Sequence, residues 1–354
     1  MVHWMRMAEM SVFMRGICAG SSRRTCRMPN QPIRWIRTVR EGCQVTAPDL
    51  PGFTPGTVVT GASQGGQYTI ESLIGHGANG HVYLVRTASG QQAALKAGPE
   101  KPELKAEVEV LAELRKSELE QGIRRSFLLD ADRFKAKGQT IPFYVMKFVR
   151  GVPIDAYIRK YGYRQIGAAG LALLDRLSGL HQAGFVFGDL KPCHVLVEKS
   201  GLVELVDYGG ASRIGSSVKQ YSGWYDRKYW NAGTRTADAG YDLFAFAVLC
   251  LHVFDEQGLR RLDAALLPQT RSAEDLVQLA GRIPPLKPFE PWFQRALRGS
   301  FTHSQEAYMQ WKVLSQSYPM GRHRRARRAS RLLTAAFCAS LLLLGAVVYT
   351  ALSL

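Results

Sequence analysis

Between Tyr68 and Val85 the chain reads Tyr-Thr-Ile-Glu-Ser-Leu-Ile-Gly-His-Gly-Ala-Asn-Gly-His-Val-Tyr-Leu-Val, with glycines at 75, 77 and 80. A Gly-x-Gly-x-x-Gly turn is common to unrelated folds, so the residues after the third glycine decide its meaning. In a dinucleotide-binding unit a helix begins there. Here Val82 and further alternating apolar residues come next, which is the period of a strand. The segment is therefore strand, glycine turn, strand, which speaks against a doubly wound dinucleotide fold as its host.

Chemistry-bearing residues recur at set intervals behind this hairpin. Ala93-Ala-Leu-Lys96 lies ten residues beyond Arg86. A lysine ending a strand is usually only solvated, but this one comes after a glycine hairpin at fixed spacing. Between Glu103 and Leu114, apolar positions 104, 108, 111 and 114 outline a helical face that also carries Glu107. Glu103, Glu109 and Glu113 read as ordinary solvated charges. Phe143-Tyr-Val-Met-Lys-Phe-Val-Arg-Gly151 reads as a core strand with Met146 within it. Next come Phe187-Gly-Asp-Leu-Lys-Pro-Cys-His-Val-Leu-Val197, a loop running into an apolar strand, and Val206-Asp-Tyr-Gly209. Tyr241-Asp242 then opens an apolar helix from Leu243 to Val253.

In this order and spacing, from about Gly66 to Tyr318, the chain resembles a Hanks-type Ser/Thr protein kinase. More narrowly it resembles the membrane-anchored YabT-like kinases of endospore-forming bacteria. That narrower likeness rests on Gly-Ala-Asn-Gly at 77–80, Phe-Gly-Asp-Leu-Lys-Pro at 187–192 and Asp-x-Gly-Gly at 207–210, with Tyr225-Asp-Arg-Lys-Tyr-Trp230 and Tyr241-Asp-Leu-Phe-Ala245. The resemblance implies an α+β bilobal fold, a β-rich N-lobe over a helical C-lobe, occupying residues 67–320. It implies ATP and Mg²⁺. The backbone at Gly75, Gly77 and Gly80 would approach the phosphates, with ATP contacts also from Ile74, Val82, Ala94 and Leu196. Lys96, paired with Glu107, would clamp phosphate. Met146 would be the gatekeeper, and the Lys147 carbonyl and Val149 N–H would meet the base. Asp189 would orient the substrate hydroxyl and accept its proton, Lys191 would neutralise the transferring phosphate, and Asp207 would hold Mg²⁺.

The pattern is broken in three places. Phe187 and Gly188 replace the family's His and Arg, so nothing in the loop pairs with an activation-segment phosphate. The Ala-Pro-Glu triplet is missing, with Tyr229-Trp230 near its place, and so is its usual Arg partner. His194 replaces the Asn that holds a second metal; an imidazole is a softer ligand, which points to Mn²⁺. Two alternatives stay open: a pseudokinase-like membrane-tethered binding module, for which His194 speaks, and a small-molecule phosphotransferase, against which Lys191-Pro192 speaks.

Composition bounds the rest. The chain has 354 residues, 46% hydrophobic and 21% charged, enough for a sizeable core in two or three domains. None of the 6 cysteines forms a Cys-x-x-Cys pair, which excludes a zinc ribbon and a disulfide scaffold. The net charge of +17 is concentrated at the ends. Residues 1–45 are basic and are expected to be an arm without a core, or to precede the true start. Residues 46–66, rich in Pro, Gly, Thr and Ser, read as a linker. Six arginines fall in 321–331, and 332–354 runs 23 residues without a charge. At about 1.5 Å per residue such a helix would cross a bilayer. Arginines at its flank favour the cytoplasmic side, so a single-pass cell-membrane protein with a cytoplasmic kinase domain is expected. The expected partners are cytoplasmic protein substrates, an anionic membrane surface at the Arg-rich segment, DNA at that same segment, and a second copy during autophosphorylation in trans.

Overall fold

The computed structural model describes residues 52–317 except 78–79, 121–126, 137 and 220–221. The basic arm, the Arg-rich segment and the apolar run 332–354 lie outside the described residues, so the expected span does too. Among the described residues no helix is long and apolar enough to cross a membrane.

Alternating apolar residues build the first half into one antiparallel sheet. Its strands are β1 (Val58–Thr60), β2 (Gln67–Gly77), β3 (Gly80–Thr87), β4 (Gln92–Ala97), β5 (Leu128–Ala136) and β6 (Gln139–Lys147), in the order β1-β2-β3-β4-β6-β5. Successive side chains alternate between faces. Tyr83, Val85, Ala93, Leu95, Phe143 and Val145 fill one face of the sheet, while Ala94, Tyr144 and Met146 join the core on the other. Lys96, two residues beyond Ala94, shares that second face, towards helix α1 (Pro102–Glu120).

The expected linker 46–66 is corrected in part. Val58–Thr60 pairs with β2 as a sheet strand. Phe53 packs its ring 5.4 Å from both Tyr83 and Phe134. The turn after β1 crosses to β5 at the opposite edge of the sheet: Ala62 N–H donates to the Arg133 carbonyl at 2.8 Å, and Gln64 N–H to the Asp132 carboxylate at 2.9 Å. Backbone donors from Gln64, Arg133 and Ser63 hold the Asp132 carboxyl down to about 2. A composition typical of linkers thus conceals a strand and a turn that close the rolled sheet.

The second half is helical: α2 (Ile154–Tyr161), α3 (Ile166–Gln182), α4 (Ala239–Ala265, broken at Asp255), α5 (Ala273–Arg282), α6 (Glu290–Leu297) and α7 (Ser304–Ser317). Helix α3 buries Leu173, Leu174 and Leu177 completely, while Asp175 and Gln182 stay exposed on its other side, as in an amphipathic helix. A Cβ at Gly170 would stand 2.6 Å from the Trp311 ring, so glycine lets α7 approach α3. Trp311 Nε1–H donates to the Gly167 carbonyl at 3.0 Å, and its ring stacks on Phe289 at 4.1 Å. Short strands lie at the lobe junction: β7 (Gly151–Pro153), β9 (Val195–Glu198) and β10 (Val203–Leu205) form one sheet, β8 (Phe185–Val186) and β11 (Ser212–Arg213) another.

Candidate active site

Lys96 is 6% exposed, and its Nζ donates to Glu107 Oε2 at 2.7 Å and to Asp207 Oδ1 at 3.1 Å. Glu107 comes from the buried face of α1, alongside Leu104, Val110 and Leu111. A buried carboxylate without a partner is strongly destabilising, so this one requires the lysine. Burial alone would lower the Lys96 pKa, but the carboxylates of Glu107 and Asp207 outweigh it and the pKa is raised. The lysine stays an ammonium, tying the sheet, α1 and the Val206–Gly209 segment together.

Asp189 sits in the loop after β8 and is 2% exposed. Its Oδ2 accepts from Lys191 Nζ at 2.9 Å, and its Oδ1 accepts a short hydrogen bond from Ser222 Oγ. Burial would depress the Lys191 pKa, but the Asp189 carboxylate raises it. The loop is fixed from below by Asp242, which is fully buried at the start of α4. It accepts from Phe187 N–H at 2.7 Å and Gly188 N–H at 2.9 Å, and its Oδ2 lies 2.9 Å from His181 Nε2. The break at 187–188 has a steric reason. Gly188 has φ of 74°, and a Cβ there would come within 2.8 Å of the Gly210 carbonyl oxygen. The backbones of the two segments approach too closely for any side chain at 188. Phe187 fills its own position edge-on to Tyr208, centroids 5.5 Å apart.

Asp207 is held in the left-handed region, φ 66° and ψ 78°, and its side chain is 49% exposed. Packing around the carboxyl acts upward, but the Lys96 and Lys191 ammonium groups hold it down to about 2. His194 Nδ1 lies 2.9 Å from the Asp189 carbonyl oxygen, which can only accept, so Nδ1 carries the proton. Burial lowers the His194 pKa. In the neutral ring the free lone pair is on Nε2, 3.7 Å from Asp207 Oδ2. Two lone-pair-bearing atoms facing each other suit a cation between them. A half-exposed carboxylate that stays ionised fits the Mg²⁺ expectation, and the imidazole adds a softer ligand.

The remaining expected ATP contacts gather on the same side of the sheet. Val82 is Lys96's cross-strand neighbour and Met146 is Ala94's, and Ile74 packs against the same core cluster. Leu196, in β9, pairs with Pro153 of β7, which follows Val149 in the chain. Of the three glycines, the fold itself requires Gly80: φ is 130°, and a Cβ would lie 2.3 Å from the Ala97 carbonyl oxygen. A Cβ at Gly77 would meet nothing within 4 Å, and one at Gly75 only Val82 at 3.6 Å. The space beside them is open to a ligand that needs the backbone. Lys147, expected to act through its carbonyl, also reaches Glu204 with its side chain, 3.5 Å away, and Arg176 holds that carboxylate at 2.6 Å.

Sequence reasoning missed the charged clasp below the site. Asp226, 1% exposed, takes Arg235 Nε–H at 2.7 Å. Arg227 forks onto Asp238 at 2.9 and 2.6 Å and donates to the Thr234 and Thr236 carbonyls. These local pairs flank Tyr229-Trp230, which lies near the place of the missing Ala-Pro-Glu triplet. The partners lie 9 and 11 residues apart in the chain, and nothing in a single sequence distinguishes them from surface charges.

The family pattern described as "Protein kinase domain" matches residues 68–265. The serine/threonine-protein kinase YabT of Bacillus subtilis (strain 168) is 32% identical over 254 residues, covering 71% of this chain and 72% of that protein. The serine/threonine-protein kinase PknG of Mycobacterium leprae is 27% identical over 186 residues, covering 47% of this chain and 22% of that larger protein. The solved structure of vaccinia related kinase 3 superposes with a TM-score of 0.51 at 17% identity, over 77% of this chain and 97% of that one, a likeness of fold alone. The pattern spans more than half of the chain and takes in both lobes and the cleft between them, so the chain belongs to the protein kinase family, among the bacterial kinases of Hanks type.

Proposed function

We propose that this kinase transfers the γ-phosphate of ATP to serine and threonine hydroxyls of proteins. The observation that carries the reading is the joint placement of Lys96, Asp189, Lys191 and Asp207 about one cleft, each charged group held by a named partner. In this reading Asp207, with His194 beside it, would hold the metal, which supplies neutralisation of the phosphate oxygens. Lys96 binds phosphate from the N-lobe side, and the glycine hairpin covers it. Asp189 orients the incoming hydroxyl and takes its proton as the oxygen–phosphorus bond forms. The bond from phosphorus to the bridging oxygen breaks, and ADP leaves. Lys191 offsets the charge that passes between them. Most of this is positioning and fixed electrostatics. Incubation with labelled ATP and a mixed protein substrate, followed by phosphoamino-acid analysis, tests it. Label on phosphoserine and phosphothreonine is expected; label confined to phosphotyrosine or to small molecules would overturn it.

Two residues sharpen the reading. Ser222 holds one oxygen of Asp189 while Lys191 holds the other. A hydrogen bond to a charged group is worth about 1.5–3 kcal/mol. Ser222→Ala should therefore lower kcat about tenfold with the KM for ATP unchanged; an unaltered kcat would remove Ser222 from the machinery. His194, with its Nε2 facing Asp207, should favour Mn²⁺. In His194→Asn the ratio of the Mn²⁺ rate to the Mg²⁺ rate is expected to fall about tenfold, and an unchanged ratio would show that His194 is not a ligand.

Membrane anchoring belongs to the same proposal. It is supported by the charge-free run at 332–354 and the six arginines before it, which together suit a span with its basic flank on the cytoplasmic side.

A further inference from the structure

Beside the catalytic loop lies a small apolar cluster separate from both main cores: Val186, Val218, Ala237 and Tyr241, at 0, 1, 0 and 2% exposure. Each member adjoins something the reaction needs. Val186 is the third residue before Asp189, Tyr241 precedes Asp242, Ala237 precedes the Asp238 that Arg227 grips, and Val218 lies on the segment leading to Ser222. The backbone around Val218 is laddered to residues 235–237. Val218 N–H donates to the Arg235 carbonyl at 2.9 Å, Ala237 N–H to the Ser216 carbonyl at 2.7 Å, and Gly215 N–H to the Ala237 carbonyl at 2.8 Å. Upstream, Ser212 and Arg213 pair with Val186 and Phe185.

Gly188 explains why Val218 can be there. A Cβ at 188 would lie 3.2 Å from Val218 Cγ1 as well as 2.8 Å from the Gly210 oxygen. The valine thus occupies the space over the loop that a side chain at 188 would claim. No arginine precedes Asp189 to take a phosphate; an apolar contact stands in that place.

We propose that Val218 is a positioning residue for phosphoryl transfer. By packing over Gly188 against Val186, Ala237 and Tyr241 it docks segment 212–218 permanently and so holds Ser222 on Asp189, without phosphorylation of the segment. This rests on the kinase reading above, and the test separates the two.

The test uses Val218→Thr in the full chain. Threonine keeps the shape, so no cavity opens, but it puts a hydroxyl in place of a buried methyl among Val186, Ala237 and Tyr241. The docked state should weaken. With phosphatase-treated protein, kcat is expected to fall about tenfold while the KM for ATP holds. Amide exchange should accelerate in 212–218 and 235–237 and stay slow in the core of α3. Phosphatase treatment of the wild type should leave its rate unchanged. A wild type that loses activity on phosphatase treatment would overturn the proposal. So would a variant with unchanged kcat and protection, or one whose exchange rises uniformly through the C-lobe, the mark of a merely stabilising side chain. If the wild type transfers no phosphate at all, the kinase reading fails instead, and the exchange pattern alone still decides whether Val218 docks the segment.

Discussion

Asp189→Asn is expected to lower phosphoryl transfer by about three orders of magnitude while leaving the fold and ATP binding nearly intact. Asp189 uses both carboxylate oxygens, one for Ser222 and one for Lys191. An asparagine of the same shape must turn an NH₂ towards one of those donors, and it cannot take a proton from the incoming hydroxyl. The loss should therefore appear in kcat. Lys96→Met is the contrasting case. It also removes phosphate binding, but it strands Glu107, 1% exposed, without its ammonium. A buried carboxylate left alone costs about 3–5 kcal/mol, so this variant should melt well below the wild type, unlike Asp189→Asn. Steady-state rates with labelled ATP, beside thermal melts, check both. A rate within tenfold of wild type in either variant would remove the assignment.

Asp242→Asn is expected to produce the second-largest effect, although the residue touches no reactant. Its two oxygens accept the Phe187 and Gly188 N–H groups directly before Asp189, in a site with no solvent access. The amide of an asparagine offers one acceptor for those two donors and points its own hydrogens at the other. An orphaned buried donor costs about 1–3 kcal/mol, and here the cost falls on the loop that aims the catalytic carboxylate. We expect kcat to drop about a hundredfold and the melting temperature to fall by several degrees. An unchanged kcat with a lowered melting temperature would show that Asp242 supports the fold and not the loop.

The sequence order, with the resemblance it carries, singles out Lys96, Glu107, Asp189, Asp207 and Asp242, and the structure sets Lys96 against Glu107 and Asp207 and sets Asp242 beneath the loop of Asp189. Glu107 is expected on the face outlined by 104, 108, 111 and 114, and the structure buries it there with Leu104, Val110 and Leu111. Periodicity alone would read a charge on such a face as solvated; the resemblance, which pairs it with Lys96, is what singles it out. The strand at Val58–Thr60 was hidden for a different reason. It is too short to show a period, and it is held by packing of Phe53 and Val59 against distant strands. The clasp of Asp226, Arg227, Arg235 and Asp238 was hidden because ordinary surface charges look the same in sequence. The Gly188 substitution read only as a missing arginine; the close approach of Gly210 and Val218 shows what the position now accommodates.

The most direct measurement is transfer of label by the wild-type 354-residue chain to a Ser/Thr protein substrate, run in parallel with ATP labelled at the γ- and at the α-position. Lys96, Asp189, Lys191 and Asp207 set around one cleft should move the γ-label alone, in Mg²⁺ and faster in Mn²⁺, and Asp189→Asn should abolish it. If the wild type binds ATP, shown by a raised melting temperature, yet transfers no label in either metal, the chain is a nucleotide-binding pseudokinase and the catalytic reading is wrong.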